Sequence, residues 1–360
     1  MSRVRVLVVD DSPTMRAFLS SLLKRDPGIE VVGSAADALA AREMIKSLDP
    51  DVITLDIEMP GMNGLAFLEK IMTLRPTPVV MVSAATQAGS AAAVEAMRLG
   101  AVGCFAKPSD GRGASMEREL PALLDLIREA AQSKVVAQSM ARDEAPVEDF
   151  RWNGSLVAIG ASTGGVEALF EVLRTFPENC PPTVIVQHMP PMFTASLATR
   201  LDRLIAPRVV EASDGMPLQQ GCIYIAPGGD RHMEVTCWPR GRVRLTPGPL
   251  VSGHQPSVDA LFHSVARAAG PTVGVILTGM GADGAEGLLL MREHGARTLG
   301  QDETSCVVYG MPRAAKAIGA VERELPLARI GASIIDLAGT PLASAAPPAR
   351  FFQGAVNAGR

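Results

Sequence analysis

Ser162 stands in the run Leu156-Val157-Ala158-Ile159-Gly160-Ala161-Ser162-Thr163-Gly164-Gly165, an apolar strand that empties into a glycine-lined turn. A serine so placed can be acylated. The glycines let the backbone turn sharply and leave amide N–H groups at the start of a helix expected over 166–173, where they suit an oxyanion. The run also satisfies Gly-x-Ser-x-Gly, the nucleophile elbow of many hydrolases, although so short a pattern equally fits a phosphate-binding turn.

A nucleophilic serine needs a base and a group that orients the base. All five histidines lie beyond residue 150. His188 follows Val184-Ile185-Val186-Gln187 and precedes Met189-Pro190-Pro191, so it sits at a strand's carboxyl end, as Ser162 does, and is the best base. His294 precedes Gly295 near a helix C-terminus, where a cation meets the dipole favourably. His263 belongs to a helical run and reads as packed or exposed. His232 and His254 lie in glycine-containing loops that could line the pocket or the surface. For the orienting carboxylate, Asp283 is preferred, because three glycines around it imply a tight loop after an apolar strand. Asp259 is the rival, with a first-turn helix acid as its ordinary role.

A second set of chemistry-bearing residues lies in the first third of the chain. Asp10 and Asp11 follow the first apolar run, Asp56 ends the third, Ser83 follows the fourth and Lys107 follows the fifth. In a doubly wound sheet these strand ends share one edge. Adjacent carboxylates would repel a phosphate unless a cation sat between them, and Mg²⁺ meets that need with oxygen ligands. Asp56 can then attack a phosphoryl donor, with Mg²⁺, Lys107 and the Ser83 hydroxyl holding the equatorial oxygens.

Two alternations of strand and helix must position these residues. Strands are expected at 4–9, 29–33, 52–55, 79–82 and 102–105, then at 156–159, 184–186, 222–225 and 273–277, with a β-hairpin at 235–245 inserted into the second sheet. The expected fold class is α/β, with two doubly wound parallel-sheet domains: a flavodoxin-like one at 1–130 and a Rossmann-like one at 151–340. Residues 131–150 lose strand signal and gain charge, as a linker does. Residues 341–360, rich in Gly, Pro, Ala and Ser, read as a flexible tail.

Composition narrows the partners. The chain has 360 residues, 47% hydrophobic and 20% charged, with a net charge of −4 and no basic stripe, so no nucleic-acid binding is expected. Five cysteines without C-x-x-C spacing suggest neither a zinc site nor a disulfide framework. The N-terminus lacks a signal-peptide pattern and no stretch reads as a membrane span, so a cytoplasmic protein is expected.

The runs Asp10-Asp11-Ser12-Pro13-Thr14-Met15-Arg16, Asp56-Ile57-Glu58-Met59-Pro60-Gly61-Met62-Asn63-Gly64, Val82-Ser83 and Phe105-Ala106-Lys107-Pro108 resemble the receiver domain of two-component response regulators. That resemblance implies Asp56 as phosphoacceptor, Asp11 as the main metal carboxylate with Asp10 supporting it, and the backbone carbonyl of Glu58 as a further ligand. It puts Phe105 at the aromatic switch position, where phosphorylation draws Phe105 and Ser83 inward, although Phe105 reads almost equally well as strand core.

Beyond residue 150, Ala158 to Gly165, Val186-Gln187-His188-Met189-Pro190, Ile225-Ala226-Pro227-Gly228, Pro256-Ser257-Val258-Asp259, Leu277-Thr278-Gly279-Met280-Gly281-Ala282-Asp283-Gly284 and Gly310-Met311-Pro312 resemble the chemotaxis protein-glutamate methylesterase (CheB) family. The resemblance implies a phosphorylation-activated hydrolase that removes γ-methyl esters from chemoreceptor glutamates and deamidates receptor glutamines. It carries over Ser162, His188 and Asp283 as the triad, with the backbone around Thr163 and Met280 as oxyanion hole and no cofactor for the esterase step. The implied partners are methyl-accepting chemoreceptors, through which alone the chain would approach a membrane, and a histidine kinase phosphodonor. A monomer is expected, with the receiver covering the esterase cleft.

Overall fold

The computed structural model describes residues 3–84, 87–107, 113–135, 150–268 and 270–340. The expected tail and most of the expected linker lie outside the described residues, as does the side chain of Ser83.

In the first domain β1 (Val4–Val9), β2 (Ile29–Ala35), β3 (Val52–Asp56), β4 (Val79–Ala84) and β5 (Gly103–Lys107) alternate with α1 (Pro13–Leu23), α2 (Ala38–Leu48), α3 (Gly64–Leu74), α4 (Gln87–Arg98) and α5 (Gly113–Gln132). The sheet is parallel in the order β2-β1-β3-β4-β5. Helices cover both faces, so β1 and β3 read as nearly unbroken apolar runs. Short polar residues start the helices: Ser12 Oγ accepts from Met15 N–H, and Asn63 Oδ1 accepts from Ala66 N–H at 2.9 Å.

The second domain runs β6 (Leu156–Ala161), α6 (Gly165–Leu173), β7 (Thr183–Gln187), α7 (Pro191–Leu204), β8 (Arg208–Glu211), β9 (Cys222–Ile225), β10 (Arg231–Val235), β11 (Val243–Pro247), α8 (Val258–Ala266), β12 (Thr272–Ile276), α9 (Ala285–Glu293), β13 (Arg297–Gln301), α10 (Met311–Ala317), β14 (Arg323–Leu325) and α11 (Leu327–Ala338). Seven strands form a parallel sheet in the order β14-β13-β12-β6-β7-β9-β8. The hairpin starts earlier than expected and is not part of that sheet: β10 and β11 pair antiparallel as a separate ribbon. Strands β8, β13 and β14 escaped the sequence reading for physical reasons. β8 and β14 are short, half-exposed edge strands, and β13 carries Thr298, Gly300 and Gln301 where an apolar run would have marked it.

The two domains interleave their cores. Val94 of α4 packs in the cluster of Ile159, Val166 and Leu197, while Phe193 of α7 packs in the cluster of Met81, Ala93 and Cys104. Around this seam Arg200 Nη2 donates to Glu95 Oε2 at 2.7 Å, and Lys134 N–H donates to Val307 O at 2.8 Å. Among the described residues no helix is long and apolar enough to cross a membrane.

The fully buried Val94 contributes on the order of 1.5–3 kcal/mol to that seam. Val94→Asp should therefore part the domains without unfolding either sheet. Hydrogen exchange should speed up at α4 and α7 while β1, β3, β6 and β7 keep their protection.

Candidate active site and acidic pocket

Strand order reverses at β6, whose neighbours are β7 on one side and β12 on the other. A crevice opens at such a switch point, beyond the carboxyl ends of the strands. Ser162, His188 and the loop carrying Asp283 follow β6, β7 and β12, so all three arrive at this edge. Backbone ties hold the Ser162 turn there. Ser162 N–H donates to Thr278 O at 3.0 Å, and the buried amide of Gln187 donates to Ser162 O at 2.8 Å and His188 O at 3.0 Å. Gly164 caps α6 with φ at 76°, and a Cβ on Gly165 would lie 2.1 Å from Gln187 Oε1.

His188 Nε2 lies 2.9 Å from Asp283 Oδ2, so the neutral ring carries its proton on Nε2 and leaves Nδ1 with a lone pair. Nδ1 is buried without a partner among the described residues, and no hydrogen bond joins the ring to Ser162. Catalytic hydrogen bonds often close only around substrate. Asp283 is 1% exposed. Burial alone would raise its pKa, but the His188 ring and the N–H groups of Asp259 and Val258 outweigh it and hold the carboxyl below its ordinary range.

The other histidines separate clearly. His254 stacks on His188 with ring centroids 3.8 Å apart, and burial followed by repulsion from His188 lowers its pKa, against an opposing pull from Asp283. It lines the cleft. His232 does not: it is buried, with Nε2 donating to Pro249 O at 2.9 Å and Nδ1 accepting from Ser257 N–H at 3.2 Å. His294 is exposed and bonds Leu290 O in the last turn of its helix, and His263 is half-buried on α8. Asp259 does not face His188. It accepts from Gly287 N–H at 2.8 Å and Ser252 Oγ at 2.7 Å, and burial, with Asp283 nearby, raises its pKa.

The amides of Thr163 and Met280, to which the family resemblance assigns the oxyanion hole, have no acceptor among the described residues. Thr278 Oγ1 steadies this corner by donating to Thr163 O at 3.0 Å.

The receiver side of the cleft carries a residue the sequence reading missed. Thr163 Oγ1 donates to Glu129 Oε2 at 2.9 Å, from the last turns of α5. Burial raises the Glu129 pKa, helped by Asp125 and opposed by Thr163 and His188. The cleft, about 780 Å³, is walled by Ser162, His188 and His254 on one side and by Phe105, Leu126 and Glu129 on the other. Nothing in a single amphipathic helix marks Glu129 as facing another domain.

At the edge of the first sheet, carboxylate oxygens of Asp10, Asp11 and Asp56 lie within 4.8 Å of one another, a donor set that fits a hard divalent cation. Lys107 Nζ donates to Asp56 Oδ2 at 2.7 Å and Asp10 Oδ2 at 2.9 Å. Burial raises the Asp56 pKa, reinforced by Asp10 and opposed by Lys107 and the Glu58 N–H. The Glu58 side chain is exposed. Phe105 packs as strand core with Val80, Leu123 and Ile127 on the α5 face, while Cys104 faces Met81 and Ala96 on the α4 face. The Phe105 ring is 6% exposed in this arrangement.

Residues 157–334 match the family model described as CheB methylesterase, and residues 6–113 match the response regulator receiver domain. The chain is 58% identical over 342 residues to protein-glutamate methylesterase/protein-glutamine glutaminase 1 of Caulobacter vibrioides, covering 94% of this chain and 99% of that protein. It belongs to the CheB methylesterase family. A second member, from Agrobacterium fabrum, is 56% identical over 341 residues, covering 92% of this chain and 96% of that one. The crystal structure of the Thermotoga maritima CheB methylesterase catalytic domain superposes with a TM-score of 0.50 at 37% identity, over 51% of this chain and 99% of that domain. This CheB-family chain is thus an enzyme with two parallel-sheet α/β domains, a receiver and a methylesterase domain.

The raised Asp56 pKa has a sign that can be tested. A carboxyl whose folded pKa exceeds its unfolded value costs stability once pH rises above both, and costs nothing below the unfolded value. Asp56→Asn should therefore raise Tm at pH 7 in the absence of Mg²⁺, and the gain should vanish as pH falls below about 4. A thermal melt series over pH checks both.

Proposed function

We propose that this chain hydrolyses γ-methyl esters of glutamate in the cytoplasmic part of chemoreceptors, and deamidates receptor glutamines, through Ser162, His188 and Asp283. The observation that carries the reading is the bond from buried Asp283 to His188, which leaves Nδ1 of the ring free at the edge where Ser162 sits. Nδ1 accepts the Ser162 proton as Oγ attacks the ester carbonyl, and the Thr163 and Met280 amides receive the oxyanion. The tetrahedral intermediate collapses, His188 returns the proton to the departing methanol, and water then cleaves the acyl-enzyme by the same route. A glutamine would release ammonia instead. Asp283 keeps the ring's proton on Nε2 and balances the imidazolium.

Asp56 is the proposed phosphoacceptor, served by a histidine kinase. Mg²⁺ held by Asp11, Asp56 and the Glu58 carbonyl, with Asp10 supporting, would neutralise charge on the incoming phosphoryl group. Lys107, now bonded to Asp56 and Asp10, is positioned to pair with that group's oxygens, and the Ser83 hydroxyl is its proposed partner. With the receiver against the cleft, phosphorylation acts by shifting the population toward an open arrangement, in which Glu129 leaves Thr163.

Mass spectrometry of a methylated receptor fragment should show one methylene unit lost per glutamate ester on incubation with the phosphorylated protein. Ser162→Ala should lower that rate by about 10³-fold or more while Asp56 still takes phosphate from acetyl phosphate. Activity near wild type would refute the nucleophile.

Removing residues 1–140 should raise activity above that of the unphosphorylated chain and make it indifferent to acetyl phosphate. Glu129→Ala should raise basal activity in the full-length chain. A truncated protein no faster than the unphosphorylated whole would show that the receiver does not restrain catalysis.

A further inference from the structure

We infer that Ser257, at the N-terminus of α8, is a positioning residue for the hydrolysis, aiming the Asp283 carboxylate at His188. The inference rests on the triad proposed above and adds a residue that acts only through it.

The four hydrogen bonds to Asp283 are divided evenly between its oxygens. Oδ2 accepts from His188 Nε2 at 2.9 Å and Val258 N–H at 2.8 Å, while Oδ1 accepts from Ser257 Oγ at 2.8 Å and Asp259 N–H at 2.9 Å. Two of these donors are main-chain groups of α8, so the only side-chain hydroxyl in the set is that of Ser257. It is fully buried. A hydroxyl has one proton to give, and here Asp283 takes it, while a lone pair of the same oxygen accepts from Ala260 N–H at 3.2 Å as the cap of α8.

The donor is itself held in place. Ser257 N–H donates to Nδ1 of buried His232, whose Nε2–H donates to Pro249 O at 2.9 Å. This clamp closes the segment 249–257 on itself, so the hydroxyl has little freedom to turn elsewhere. Without it Oδ1 would keep one donor, and the carboxylate could rotate about its Cβ–Cγ bond away from the plane that Nε2 requires. The consequence falls on proton transfer, because misaligned Asp283 no longer holds His188 with Nδ1 toward Ser162. Substrate contacts would be untouched, since Ser257 lies behind Asp283 and does not line the cleft.

The test is a double-mutant cycle in the full-length chain, activated with acetyl phosphate and Mg²⁺, with release of methanol from a glutamyl γ-methyl ester peptide as readout. Ser257→Ala should lower kcat about 10-fold with KM unchanged, and Ser257→Thr, which keeps the hydroxyl, should recover most of it. Asp283→Asn alone should cost about 10³-fold, and adding Ser257→Ala to it should cost less than 2-fold more, because the two act as one unit. Ser257→Gly removes the hydroxyl with little loss of capping, so it separates aiming from helix stability and should match Ser257→Ala in kcat. Equal losses from Ser257→Ala in both backgrounds would reduce Ser257 to a helix cap and overturn the inference, leaving the triad intact. An Asp283→Asn protein with normal kcat would instead refute the triad reading, and the role of Ser257 with it.

Discussion

A carboxylate 1% exposed to solvent must be surrounded by donors or lose its charge, and Asp283 is surrounded completely. Its four bonds tie the loop after β12 to the first turn of α8 and to the histidine that ends β7. Asp259 completes the link in the opposite direction, reaching from α8 to the N–H of Gly287 in the first turns of α9. α8 thus starts against the acid of the loop leading into α9, and α9 against an acid of α8. The exchange satisfies orphan amides at both N-termini and fixes the angle between α8 and α9. It also splits the two acids electrostatically, with Asp283 held ionised and Asp259 pushed toward neutrality.

That framework leaves one face of His188 against His254 and its Nδ1 buried without a partner among the described residues, beside a cleft walled on its other side by the receiver. The closure combines two kinds of contact. Val94 and Phe193 exchange places between the cores, a dry contact that salt would not weaken, whereas the pairs Glu95 with Arg200 and Glu129 with Thr163 are polar and only partly buried. The proposed activation requires this seam to open, and a differential of a few kcal/mol suffices to shift a two-state population.

The acidic pocket lies at the same carboxyl edge of the receiver sheet, and burial has an opposite result there. Asp56 lacks the donors that Asp283 enjoys, and one oxygen shares Lys107 with Asp10. Its charge is therefore costly in the resting protein, and a group that brings a cation and accepts the Lys107 proton bonds relieves that cost.

Much of this was written in local sequence. Apolar runs of strand length, with Asp56 and Ser162 placed directly after two of them, determined that carboxylates and a hydroxyl would meet at sheet edges, because parallel strands must all present the same ends there. The nearly unbroken apolar runs at 4–9 and 156–161 reflect burial on both faces, and that is why those strands were legible. Edge strands β8 and β14 were not, since one side of each is wet and needs no apolar run. Local pattern also left His232 and His254 equivalent, both in glycine-containing loops. Only packing decided between them, seating one behind Ser257 and the other on His188. It alone decided that Glu129 meets Thr163, that Phe105 belongs to the α5 face, and that the hairpin stands apart from the sheet. These are contacts between segments far apart in the chain. Periodicity reports which face of an element is apolar, but not which element that face will meet.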